Sequence, residues 1–254
     1  MSVAPLHRTA SSPHRGSVEV ATLVALYAVY EIVRGQGHAT VAAARAHTDW
    51  IVHLEQRFHV FGERAVQHAA DAVPGAPTLL GIAYIALHFL GTTAFLVWLY
   101  RRHRERFALV RNTMIAATGI ALTLYVVFPV APPRLAALGF VDTVSKHAGV
   151  NLSSDVLGSL YNPFAAVPSL HFGYALLVGV TIAAVARRRV VRVLALAYPL
   201  VMLFVIVATG NHFFFDAAGG ALAVGAGYLI ATWVGAARRE PQRRTAAGSA
   251  ALPC

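Results

Sequence analysis

The sequence predicts an all-α, polytopic membrane protein: a six-transmembrane-helix bundle with an amphipathic helix between spans one and two. Composition gives the class, since 57% of the 254 residues are hydrophobic, 13% are charged and mean hydropathy is +0.60, too apolar for a soluble domain of this length. Uninterrupted apolar runs give the spans, at residues 18–35, 77–100, 108–130, 168–187, 190–208 and 214–236, a bilayer crossing needing about 20 residues. The runs are rich in Ala and Leu and lack the alternation of barrel strands, so the spans are helices.

Residues 1–17 read as a flexible N-terminus. Arg8 and Arg15 precede the first run as in a signal peptide, but Glu19 and Glu31 bracket it and no small-residue cleavage site follows. It is read as a retained span. Residues 36–76 are too polar to cross; within them Trp50, Leu54, Phe58 and Phe61 recur at helical spacing beside His47, His53, Arg57 and His59. This predicts either an amphipathic helix in the interface or a cap on the bundle mouth, with the same aromatic stripe buried in both.

Orientation follows from the basic residues. Arg101, Arg102, Arg104 and Arg106 lie between spans two and three, Arg187, Arg188, Arg189 and Arg192 between four and five, and Arg238, Arg239, Arg243 and Arg244 after span six. Positively charged connections stay in the cytoplasm, so both termini are expected there, in a plasma (inner) membrane protein, with the remaining loops facing outward. The stretch 18–236 is then one membrane domain, followed by a disordered basic tail at 237–254 with no apolar period. The net charge of +10 is accounted for by these helix-end arginines and anionic headgroups, and no nucleic-acid partner is expected. Membrane lipids are the expected surroundings; oligomeric state is not readable. The single Cys254 allows no internal disulfide and sits in no prenylation box.

Chemistry concentrates where outward loops turn into apolar runs. In Ala166-Val167-Pro168-Ser169-Leu170-His171, Pro168 suits a first helical turn and places Ser169 and His171 beside backbone N–H groups that favour anions. In Thr209-Gly210-Asn211-His212-Phe213-Phe214-Phe215-Asp216, Gly210 and Asn211 permit a tight turn, and the spacing of four lets Asp216 hold the His212 ring. A carboxylate-oriented imidazole is a nucleophile toward phosphorus, a second imidazole suits protonation of a departing oxygen, and Arg134 suits a clamp on phosphoryl oxygens. The bland readings stand beside this one: a histidine at a helix end is often interfacial, an aspartate near a helix N-terminus simply complements the dipole, and an arginine after prolines anchors headgroups. His88 and Tyr30-Glu31 are unusual within apolar runs and either line a headgroup pocket or fix helix packing.

These residues also carry a resemblance. Pro168-Ser169-Leu170-His171 resembles the Pro-Ser-Gly-His motif, and His212-x-x-x-Asp216 the end of the third motif, of the type 2 phosphatidic acid phosphatase superfamily of lipid phosphatases. More narrowly, Phe128-Pro129-x-Ala131-Pro132-Pro133-Arg134, Ala166 to His171 and Thr209 to His212 resemble its inositol phosphorylceramide synthase-like branch. The resemblance spans residues 20–236. It implies that His212 attacks phosphorus to give a phosphohistidine, Asp216 orients it and His171 protonates the leaving group, with no cofactor and no metal. Arg134, Ser169 and Asn211 are the phosphate-binding candidates. The chain departs from the pattern at two clamp positions, carrying Val127 and Ile206 where a Lys and an Arg are usual; Lys146 and Arg34 are possible stand-ins. The expected partner is a lipid-linked phosphate, the reaction phosphatase or phosphotransferase chemistry at the outer membrane face. Alternatives left open are an inositol-phosphate-type headgroup transferase, a metal site built from His171, His212 and Asp216, and a non-enzymatic carrier of anionic lipids.

Overall fold

The structure, a computed structural model, describes residues 16–22, 24–25, 27–28, 41–147 and 162–249. Among these it is helical apart from loops and one isolated bridge between Val130 and Ala165. Residues 16–22 are helical, and Glu19 there pairs with Arg111; most of the predicted first span, with Arg34, Tyr30 and Glu31, lies outside the described residues.

The polar segment after it forms α1 (Val41–Arg57) and α2 (Glu63–Asp71). The buried face of α1 is Ala44, Thr48, Ile51, Val52 and Glu55, at the spacing of one helical stripe. The predicted aromatic stripe is not the buried one: Trp50 and Phe58 are exposed. Small and β-branched residues let α1 approach the 129–131 loop closely, which the bulky rings prevent. Thr48 Oγ1 donates to Ala131 O and accepts the Ala131 N–H, both at 3.0 Å, and His47 Nδ1 lies 2.8 Å from Pro129 O.

Among the described residues four helices are long and apolar enough to cross a membrane: Ala76–Arg102, Arg104–Val127, Arg189–Ala208 and Phe214–Ala237. The first is composite, with α3 (Ala76–Ala86) and α4 (Thr92–Arg102) joined by a π-helical turn at Leu87–Gly91. Next, α5 (Arg104–Val127) ends two residues before Pro129, because a residue preceding proline is driven out of helical geometry; Phe128 has φ −137° and ψ 65°. A 3₁₀ turn at Pro133–Leu135 and α6 (Thr143–His147) follow. The predicted span 168–187 is the shorter α7 (Leu170–Val185), bounded by Ser169 at its start and by extended backbone at Ala186 ahead of the arginines. At 16 residues it is about 24 Å long, against roughly 30 Å of hydrocarbon. Finally come α8 (Arg189–Ala208) and α9 (Phe214–Ser249). The backbone of α9 stays helical to Ser249, where the sequence predicts a disordered tail from 237.

Glycines set the helix crossings. A side chain on Gly220 would strike Ser169 O, and one on Gly179 would strike Ala195 O, so α9 and α8 each meet α7 at backbone distance. Leucines such as Leu196, Leu200, Leu222 and Leu229 point outward, as suits lipid contact. The starts of α7 and α9, the ends of α5 and α8, and α1 and α2 gather at one end of the bundle, tied by the bonds described below. The arginines at 101–106 and 187–192 lie at the other.

Candidate active site

The third-motif loop is shaped before any chemistry is placed on it. Gly210 has φ +70°, and a Cβ there would sit 2.9 Å from both Gln67 Nε2 and Val141 O, so only glycine fits. Asn211 N and His212 N both donate to Ile206 O, at 3.1 and 3.2 Å, which wraps the chain back over the end of α8. Gln67 of α2 locks the turn: its Nε2 donates to Val141 O at 2.9 Å and Ala208 O at 3.3 Å, while its Oε1 accepts the Val141 N–H at 2.9 Å.

His212 thereby enters a closed corner, 6% exposed. Its Nδ1 lies 3.0 Å from Asp216 Oδ2, and the same oxygen accepts the Phe213 N–H at 2.9 Å. Asp216 Oδ2 is placed to accept from Nδ1–H as it does from the Phe213 N–H, and in that tautomer the Nε2 lone pair is left for chemistry. Asp216 is fully buried, and the spacing of four in the first turn of α9 makes the pairing possible.

His171 occupies the first turn of α7. Its ring is sandwiched between Tyr84, at 4.2 Å and 20° between planes, and His88, at 3.9 Å and 27°. Tyr84 and His88 stand one turn apart on one face, and the π-helical turn that begins at Leu87 widens that turn to admit a third ring. Tyr198 supports it by donating to Leu87 O at 2.9 Å. The His171 and His212 rings face each other at 5.7 Å, so the two motifs meet. Tyr125 fixes the second motif, donating from its hydroxyl to Pro168 O at 2.9 Å.

The three phosphate-binding candidates are engaged within the protein. The Arg134 side chain is 1% exposed, with Nε donating to Asn211 Oδ1 at 2.9 Å and Nη1 lying 3.5 Å from Asp142 Oδ2. Asn211 also donates to Thr209 Oγ1 at 3.0 Å. Ser169 is buried, caps α7 by accepting the Phe172 N–H at 3.4 Å, and donates its own N–H to Asp216 O at 2.9 Å. Arg134 and Asn211 therefore brace the two loops against each other, and Ser169 joins the second motif to the third. At the two departures, Val127 is exposed at the end of α5 and Ile206 is core; Lys146 is exposed on α6.

Among the described residues no group of three or more His, Cys, Asp or Glu is placed to hold a metal. Asp216 Oδ2 is engaged by His212 Nδ1 and the Phe213 N–H.

Two acidic residues absent from the sequence reading complete the corner. Glu63, fully buried at the start of α2, accepts the Phe214 N–H at 3.0 Å, and Glu55, 3% exposed near the end of α1, accepts the Phe215 N–H at 2.8 Å. Burial, then the neighbouring Glu63, push the Glu55 carboxyl up to about 9, against the partial offset of the Phe215 N–H. The one sequence signal for Glu55 is its register: it continues the Ala44, Thr48, Ile51 stripe on the docked face of α1. Nothing comparable marks Glu63. His88, read from sequence as a packing residue or a pocket liner, stacks directly on the second-motif histidine.

No curated protein and no solved structure matches the chain. A family model described as the PAP2 superfamily matches residues 49–230. That match takes in the C-terminal half of α1, α2 to α8, both histidine motifs and most of the apolar part of α9, and the chain belongs to the PAP2 superfamily.

Proposed function

We propose that this protein is a lipid phosphatase or phosphotransferase that works through a phosphohistidine on His212. The observation that carries the reading is the buried His212–Asp216 pair with the His171 ring 5.7 Å away. Nε2 of His212 forms the new bond to phosphorus as the bond from phosphorus to the leaving oxygen breaks. The leaving oxygen takes a proton from His171, and Nδ1–H stays on Asp216, which stabilises the positive charge on the ring. Water or an acceptor hydroxyl then attacks the phosphohistidine and returns a proton to His171. A buried corner with little competing water strengthens each of these interactions.

The substrate is a lipid-linked phosphate, since the corner sits at the end of a bundle of apolar helices. The six-span layout, counting residues 18–35 and α7, is part of this proposal. So is an outward-facing site with cytoplasmic termini, which the arginines at the opposite end of the bundle support. The carrier alternative makes a different forecast: lipid binds or moves and no phosphate is released.

The test is turnover of purified protein on phosphatidic acid, a polyprenyl diphosphate and a phosphoinositol lipid, scoring both free phosphate and transferred product. His212→Ala should lower the rate by roughly 10⁴-fold or more while the protein remains folded, and radiolabelled phosphate should be trapped on the wild type as an acid-labile adduct absent from the variant. An unchanged rate in His212→Ala would sink the mechanism.

A further inference from the structure

The N-terminus of α9 is filled by the protein's own carboxyl groups. Three consecutive backbone N–H groups, those of Phe213, Phe214 and Phe215, are taken by Asp216, Glu63 and Glu55 in that order. The acceptors come from three different helices, so this is a junction of α1, α2 and α9 and not a local cap. The first turn of α9 also carries Asp216 and hence orients His212.

The charges in this junction do not balance. The groups that bear electrostatically on Glu55 are Glu63 of α2 and Asp216 of α9, both acids; the His212 ring is engaged by Asp216. A helix N-terminus offsets about half a charge. Glu55 Oε2 and Glu63 Oε2 are both buried and neither has a donor from another residue, although the two carboxyl groups lie within hydrogen-bonding reach of each other. Two ionised carboxylates in that position repel. With one proton between them, each Oε2 satisfies the other while each Oε1 continues to hold its backbone N–H.

We propose that Glu55 and Glu63 share a single proton, and that this carboxylic acid–carboxylate pair is a positioning element for the nucleophile, holding the first turn of α9 and thereby the His212–Asp216 pair in register. Loss of the proton places a second buried negative charge beside Asp216, drives the two glutamates apart and loosens the Phe214 and Phe215 N–H groups. The enzyme then has an alkaline limit that belongs to the glutamates rather than to either histidine. The rise of the Glu55 carboxyl from its ordinary 4.5 to about 9 agrees in sign, because a raised value means the proton is kept at neutral pH and lost as pH climbs through that value.

The catalytic part of this inference rests on the His212 reading; the shared proton does not, and the two are tested separately. Infrared difference spectra of the full-length protein, titrated from neutral to alkaline pH, should show a buried protonated-carboxyl band that disappears near pH 9 and is missing in Glu55→Gln. In kinetics, Glu55→Ala should lower kcat at neutral pH by about tenfold or more with KM changed far less, whereas Glu55→Gln, which keeps both the acceptor and a donor toward Glu63, should recover most of that loss. The alkaline limb of the Glu55→Gln profile should move up by about one pH unit or more. Absence of the carboxyl band in the wild type, a Glu55→Gln variant as impaired as Glu55→Ala, or an unmoved alkaline limb would each overturn the proposal. If Glu55→Ala does not fold, the wild-type spectrum and the Glu55→Gln profile still decide it. A carboxyl band present in a protein whose His212→Ala variant stays active would retain the shared proton and remove only its catalytic consequence.

Discussion

Two helix N-termini meet at the site, and they are built in opposite ways. The start of α7 is capped by one neutral hydroxyl, Ser169, at a long 3.4 Å, and carries His171 in its first turn. The start of α9 is saturated by three acids and carries Asp216. A weakly capped helix end keeps its positive potential and favours an incoming anion, whereas an end neutralised by carboxylates does not. The difference assigns unequal work to two motifs that look alike in sequence. In the proposed reaction the α7 end receives the phosphoryl oxygens beside the acid, and the α9 end makes its imidazole electron-rich.

The contrast can be broken from either side. Asp216→Asn attacks the α9 end most directly: with an amide, the proton on His212 is no longer fixed to Nδ1, and turnover should fall by about 10³–10⁴-fold with the protein still folded. Phosphate release from any accepted lipid substrate measures it, and a loss below tenfold would mean that the carboxylate is not the orienter. His171→Gln attacks the α7 end and should cost roughly 10²–10³-fold on an ordinary lipid phosphate. The loss should shrink sharply on an aryl phosphate whose leaving group needs no proton, and an equal loss on both substrates would deny His171 the role of acid. Ser169→Ala should have the smallest effect, destabilising by about 0.5–1 kcal/mol through loss of a long cap. Thermal unfolding in detergent measures that, and a collapse in turnover without such destabilisation would instead place the hydroxyl on substrate.

The helices that form the bundle were legible because each is a long apolar run flanked by arginine or proline, and such runs announce their own ends. Predicted 190–208 and 214–236 correspond closely to Arg189–Ala208 and Phe214–Ala237. The π-turn inside the second predicted span was invisible, since Leu87 to Gly91 belongs to one continuous apolar run and the His171 ring that stacks on His88 there comes from a distant segment. The α1 stripe was misread for a related reason. Aromatic residues dominate any estimate of what is buried, yet the docked face depends on close backbone approach, which favours Ala44 and Thr48. His171, His212 and Asp216 could be read because motif order and spacing put them at helix starts. The bracing of Arg134 by Asn211 and Asp142, and the junction of Glu55 with Glu63, depend on contacts between distant segments and have no local signature.

The π-helical turn has a further consequence for how this chain tolerates change in length. Such a turn is in effect one surplus residue stored in a helix, and each residue of an ordinary helix advances the azimuth by about 100°. Removing a single residue from Leu87–Gly91 would let the turn close to ordinary helix with Thr92 to Arg102 still in phase with Tyr84, whereas adding one, or forcing regular helix through the same five residues, would rotate that half by about 100°. Phe95 and Leu99, now in the core against α5 and α7, would swing toward the bilayer and lipid-facing residues would swing in. The five residues around His88 thus set the phase between the half of the helix that serves the histidines and the half that anchors it in the membrane.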